Sequence, residues 1–190
     1  MFKNKFNLRN VIVIIIGLAV NPFSLEAQNA TALAEIRGAS LPNSFTREYE
    51  RIILDPTTYT LVAFSAAWCA PCIVMMPVLR EIHEATKGHM DMVYINMDPR
   101  NRKDAWLTLL AENNIGWRSL WLTDRSNLGR RWGIGGIPAY ILVAPSGDVR
   151  RITLASQRCV QALFSIIGVI PIRVQAPSSP YQIIQRNVNQ

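Results

Sequence analysis

Histidine and cysteine are both scarce in this chain, at two and three residues. A structural zinc site takes four ligands, usually two cysteine pairs or one pair with two histidines. Here Cys69 and Cys72 form one close pair, Cys159 is remote, and His83 and His89 stand in a spacing that matches no zinc signature. No metal and no bound cofactor are expected. Charge is sparse too, at 17% of residues, while 49% are hydrophobic. That balance supports a core and argues against wholesale disorder. The net charge of +7 contains no dense Lys/Arg run and no basic–aromatic stripe. It reads as a solvated basic surface, and nucleic acid is not an expected partner. No internal repeat is visible.

What is present begins with "MFKNKFNLR", carrying Lys3, Lys5 and Arg9, followed by the uncharged run Val11–Val20 and the small, polar exit "SLEAQNA". The run falls short of the roughly 20 residues that cross a membrane. A basic start, a short apolar centre and a small-residue exit mark a secretory signal peptide, residues 1–27, with cleavage expected after Ala27. The alternative is an uncleaved segment that anchors the protein to a membrane. No cysteine stands near the exit for lipid attachment.

Export changes the meaning of cysteine, because disulfides persist outside the cytoplasm. The pair sits in "FSAAWCAPCIVMMPVL", Phe64–Leu79. A bridge across two intervening residues closes a very small loop and constrains the unfolded chain weakly, so it is a poor structural clip. "YTLVAFS", Tyr59–Ser65, reads as a central strand buried on both faces. From Ala70 onward Ile73, Met76, Leu79 and Ile82 recur at helical spacing. Pro71 suits a first helical turn. Pro77 falls inside the helix and is expected to bend it. Cys69 therefore stands at a helix N-terminus, where unpaired N–H groups and the helix dipole favour a thiolate. Cys72, one turn on, lies within reach of a mixed disulfide formed at Cys69. One cysteine attacks and the other resolves; two inert buried cysteines are the plainer alternative.

"AAWCAPC", with a proline five residues past the second cysteine, resembles the active site of the thioredoxin superfamily. "GIGGIPAYILVAPSGDV", Gly133–Val149, is similar to that family's cis-proline loop and the strand and turn that follow. The resemblance implies that Cys69 and Cys72 form the redox-active disulfide. It implies that Pro138 is a cis-proline packed against them, and that the backbone of Ile137 pairs with an extended substrate. Trp68, Pro71, Ile137 and Pro138 become the expected substrate-binding residues. Between the two signatures lie "MVYINMD", Met92–Asp98, a strand, and "RKDAWLTLLAENN", Arg102–Asn114, a helix, with Asp104 near its start. A helical insert before the Gly-Ile-Pro loop, behind an export signal, resembles the TlpA/ResA/DsbE-like thiol–disulfide oxidoreductases of bacterial envelopes. The resemblance spans Thr57–Ile167.

Two departures stand out. Thioredoxin has a buried aspartate six residues before its first cysteine, and here that position is Ala63. The ResA-like branch has a glutamate three residues after the second cysteine, and here it is Met75. Both acids serve proton transfer at the resolving cysteine. No replacement stands nearby in sequence.

The expected fold is α/β: a thioredoxin-like central mixed β-sheet flanked by helices, with a helical insert before the cis-Pro loop. Strands are predicted at 59–65, 92–97, 139–143 and 149–154, with a further one at 118–123. Residues 28–56 form an N-terminal extension, with one helix over Ser44–Leu54. The thioredoxin-like domain covers 57–170 and a flexible tail covers 171–190. Ser156 is the expected N-cap of a C-terminal helix, with Cys159 buried on it. Trp106, Trp117, Trp121 and Trp132 are assigned to packing, and His83 and His89 to the surface. The expected function is an exported, periplasmic oxidoreductase exchanging its disulfide with cysteines of exported partner proteins. Reduction is the expected direction, with a membrane thiol carrier as electron donor. The alternatives are a non-catalytic binding module of the same fold and a copper(I) chaperone.

Overall fold

The computed structural model describes residues 35–36, 39–52, 55–122 and 128–170. The expected signal peptide, 1–27, and the expected tail, 171–190, lie outside the described residues.

Among the described residues, the first strands are two short ones, β1 (Ser40–Pro42) and β2 (Tyr49–Arg51). It continues through β3 (Tyr59–Ser65), helix α1 (Ala70–Ala85) and β4 (Met90–Asn96). A 3-10 turn (Arg100–Arg102) leads into α2 (Lys103–Glu112), followed by β5 (Arg118–Trp121) and a single helical turn (Leu128–Arg131). The hairpin β6 (Ala139–Val143) and β7 (Val149–Ile152) precedes the last helix, α3 (Gln157–Ile167). The main sheet has the order β5-β4-β3-β6-β7. β4 runs parallel to both β3 and β5, while β6 is antiparallel to β3 and β7. Parallel neighbours need a crossover, and α1 and α2 supply the two required here. The antiparallel pair needs only a tight turn. Gly147 at φ 94° makes that turn, with its N–H donating to the Ala144 carbonyl at 2.9 Å.

β3 is central and buried from Thr60 to Ser65. Its side chains alternate between two cores. Leu61 and Ala63 join Tyr94, Tyr140 and Leu142 under α1 and α3. Val62 and Phe64 join Val93, Ile95, Ile141 and Trp132 on the other face. The four tryptophans assigned to packing are all buried. Pro77 lies on the exposed side of α1, and the helix continues through it. Asp104 stands in the first turn of α2. On α3 the Ser156 hydroxyl caps the Cys159 N–H, and Gly168, in the left-handed region, closes the other end.

Three expectations are corrected. Of the helix expected over Ser44–Leu54, residues 44–52 are not helical and 53–54 lie outside the described residues. β1 and β2 pair antiparallel, Ser40 facing Arg51 and Pro42 facing Tyr49. The cause is Asn43, whose carboxamide oxygen accepts the N–H groups of Phe45 at 2.7 Å and Thr46 at 3.2 Å. Such side-chain bonds favour a turn over a helix. Ser44 docks this hairpin on β5, its hydroxyl 2.9 Å from that of Ser119. Cys159 is half-buried rather than buried, because it lies off the apolar stripe of Val160, Leu163, Phe164 and Ile167. His83 is also half-buried, its ring 5.0 Å from that of Trp117.

Candidate active site

The C-terminal end of β3 delivers the motif. After Ser65 the chain turns, and the Cys69 N–H closes on the Ala66 carbonyl at 3.1 Å. Cys69 is the N-cap of α1, in extended backbone, and Pro71 lies in the first helical turn, which has no acidic residue. The Cys72 and Ile73 N–H groups donate to the Cys69 carbonyl at 2.9 and 3.1 Å. Cys69 and Cys72 are joined by a disulfide, with Cα atoms 5.2 Å apart.

The disulfide is covered. Cys69 is 3% exposed and Cys72 2%, while neighbouring Trp68 is 55% exposed. Ala66 and the half-buried Ile137 pack against the two cysteines. The Ile137–Pro138 peptide bond is cis. Sequence reasoning gave Ile137 a backbone role; its side chain is also part of the cover over the sulfurs. Beside them opens a cleft of about 430 Å3, walled by Pro71, Val74 and Met75 of α1, the 133–136 loop, Pro138 to Tyr140 and residues 151–155. Gly133 is at φ 63°, and a side chain there would strike the guanidinium of Arg151, which donates to the Trp132 carbonyl at 2.7 Å. The structure thus gathers Cys69, Cys72 and Ile137 in one cluster, with Pro71 and Pro138 on the cleft beside it. Trp68 stands exposed in the turn before Cys69.

These features have known counterparts. The thioredoxin-like family matches residues 57–149. The chain carries a thioredoxin-like domain. Its mixed five-stranded sheet matches the thioredoxin domain of a Bacteroides vulgatus thiol–disulfide oxidoreductase with a TM-score of 0.60 at 20% identity. That match covers 68% of this chain and 92% of the other. A secreted disulfide oxidoreductase of Mycobacterium tuberculosis matches with a TM-score of 0.55 at 15% identity, covering 83% and 98%. In sequence, the thiol:disulfide interchange protein CycY of Rhizobium leguminosarum is 32% identical over 90 residues, 47% of this chain and 46% of that protein. Human nucleoredoxin is 34% identical over 95 residues, 46% of this chain and 21% of that protein. The chain therefore spans half or less of these curated relatives.

Within the thioredoxin-like domain the two acid positions are apolar, as the sequence indicates: Ala63 and Met75 are both buried in the core under α1. Sequence reasoning missed Asp98, just past β4. Its side chain is buried, and Oδ2 accepts the Ala67 N–H at 2.7 Å. Burial pushes its carboxyl above the usual carboxylate range, against the opposing pull of the Ala67 N–H and the Arg102 guanidinium. The available signal was positional. An acid at the C-terminal end of a parallel strand, beside the strand that carries the motif, lies where α/β sheets build their sites. Among the described residues, no three His, Cys, Asp or Glu side chains cluster to hold a metal ion.

Proposed function

We propose that the protein is an exported thiol–disulfide oxidoreductase that acts as a reductant of cysteines in other exported proteins. The observation that carries this reading is the Cys69–Cys72 disulfide at the N-terminus of α1. Such a bridge adds little to stability, yet it sits where a helix end stabilises a thiolate. In the reduced protein the Cys69 thiolate attacks a substrate disulfide. One substrate sulfur leaves as a thiol after taking a proton, and a mixed disulfide remains. The Cys72 thiol loses its proton and attacks Cys69, which restores the protein disulfide and releases the second substrate thiol. Exposed Trp68 and the cleft along Pro71 and Pro138 offer the partner an apolar seat. The basic, apolar N-terminal segment supports export, and reduction of the spent disulfide calls for a thiol donor at the membrane.

The test is reduction of insulin by dithiothreitol. The unsubstituted protein should accelerate it, and Cys69→Ser and Cys72→Ser should each fall to the uncatalysed rate. Equal rates for all three would leave the domain a binding module.

A further inference from the structure

Ala63 and Met75 leave the disulfide without the acids that serve such couples elsewhere, yet one carboxylate is buried beside the motif. Asp98 is 2% exposed and is held at several points. Its Oδ2 accepts the Ala67 N–H at 2.7 Å, its own N–H donates to Asn96 Oδ1 at 2.8 Å, and its carbonyl accepts the Trp121 indole N–H at 2.7 Å. Ala67 adjoins Ala66, which packs against both cysteines. The other carboxylate oxygen, Oδ1, is buried and has no partner in the protein. The same is true of Ser65 Oγ and Asn96 Nδ2, which belong to register partners at the ends of β3 and β4. Unpartnered buried polar atoms are rare and mark water or proton sites.

We propose that Asp98 is a positioning residue that also handles a proton. It holds the Ala66–Cys69 turn, and it takes up a proton when the disulfide is reduced. This rests on the redox reading above. A donor dithiol gives up two electrons and two protons and becomes a disulfide. The Cys69–Cys72 bond breaks. Cys72 keeps one proton as a thiol, Cys69 remains a thiolate, and the other proton neutralises Asp98. A buried carboxylate that holds the Ala67 N–H and a thiolate two residues further along that turn repel, and protonating one of them relieves the repulsion. Among the described residues, the charged group recorded against Asp98 is Arg102 on the 3-10 turn, which opposes proton uptake; Cys69 and Cys72 are reached through the Ala66–Ala67 backbone that Asp98 holds. The packed strands present Ser65, Asn96 and Trp121, which do not titrate.

Two measurements test this. The first follows the Asp98 carboxyl by carbon NMR in the oxidised and the dithiothreitol-reduced protein, and its titration should move to higher pH on reduction. The second compares the unsubstituted protein with Asp98→Asn and Asp98→Ala in reduction potential against pH and in alkylation rate of Cys69. Asn retains an oxygen for the Ala67 N–H. A purely structural Asp98 therefore leaves Asp98→Asn unchanged and impairs only Asp98→Ala. The proposal expects both variants to lose one break in the potential profile, while Asp98→Asn leaves the Cys69 alkylation rate at mildly acidic pH unchanged, because the native Asp98 is already neutral beside the thiolate. A carboxyl that titrates alike in both redox states overturns it, and so does an Asp98→Asn profile that superimposes on the original. If Asp98→Asn does not fold, the carboxyl titration decides. A couple that fails to exchange with dithiothreitol sinks the redox reading as well; exchange with superimposable profiles sinks the Asp98 role alone.

Discussion

Two buried regions along β3 support the same disulfide and differ in chemistry. At the C-terminal end, Ser65, Asn96 and Asp98 are buried polar residues, and Asp98 holds the turn that carries Cys69 through the Ala67 N–H. Deeper along the strand, Ala63 pairs with Tyr94 on one side and Tyr140 on the other, under Met75 of α1. Both tyrosine hydroxyls are buried without a partner. Burial pushes both phenols far above their usual range, so they stay neutral. The first region holds a carboxyl raised above its ordinary range, and the second can only offer a neutral hydroxyl. In the resemblance to thioredoxin the proton-handling acid stands in the second region; in this chain the carboxylate stands in the first.

The largest disturbance is to charge the neutral region. Ala63→Asp places a carboxylate among the apolar side chains of the core under α1. The expected cost at neutral pH is roughly 3–5 kcal/mol, as for other uncompensated buried charges. Urea unfolding measures it, and the cost should shrink as the pH is lowered and the new carboxyl protonates. An Ala63→Asp protein as stable as the original at neutral pH would show that the two regions are interchangeable. The next disturbance empties the polar region. Asp98→Ala leaves the part-buried Ala67 N–H without its acceptor and should cost about 1–3 kcal/mol. Asp98→Asn should recover most of that loss.

This contrast also separates what the sequence reveals from what it hides. β3 and β6 were legible to the residue, because their apolar runs end at a motif and at a turn. β4 begins two residues earlier than expected, at Met90, since the pairing of Tyr59 with Met90 is a property of two strands and not of either alone. The neutral region was half legible. Ala63 and Met75 showed the missing acids, but no local pattern says that Tyr94 and Tyr140 flank Ala63, which depends on register. Asp98 was hidden for the same reason. It stands 29 positions from Cys69 in sequence, and only the parallel pairing of β3 and β4 brings it to the turn. The hairpin at 40–51 was misread because Ser44–Leu54 contains good helix formers, and a single Asn43 carboxamide redirects the start of that segment.

A smaller effect concerns pH. The Asp98 carboxyl titrates above the ordinary 3.8 in the folded protein. Between these two values the folded state holds a proton that the unfolded state has lost. Stability from this group is therefore full below 3.8 and falls as the pH rises through the folded value. The exposed Asp55 and Glu84 act in the opposite sense, each lowered by hydrogen bonds, from Thr57 and Lys87 respectively. The difference between Asp98→Asn and the original isolates Asp98. The Tm of Asp98→Asn should gain on that of the original as the pH rises above 3.8, and by more in the reduced protein. A constant difference would mean that Asp98 does not titrate in this window.

The smallest expected effect falls on the tyrosines. Tyr94→Phe and Tyr140→Phe each remove a buried hydroxyl that has no protein partner while keeping the ring. For Tyr94 that ring packs 5.3 Å from both Trp106 and Trp117. A hydroxyl that is truly unsatisfied costs stability, so its removal should change unfolding free energy by less than about 1 kcal/mol, or raise it. The potential-against-pH profile should not move, because neither phenol titrates in that range. Tyr140 is the sharper case, since it also lines the cleft beside Pro71 and Pro138. If Tyr140→Phe loses more than about 2 kcal/mol, its hydroxyl is bonded to a buried water. The neutral region would then hold a relay of its own, and the division of labour between the two ends of β3 would fail.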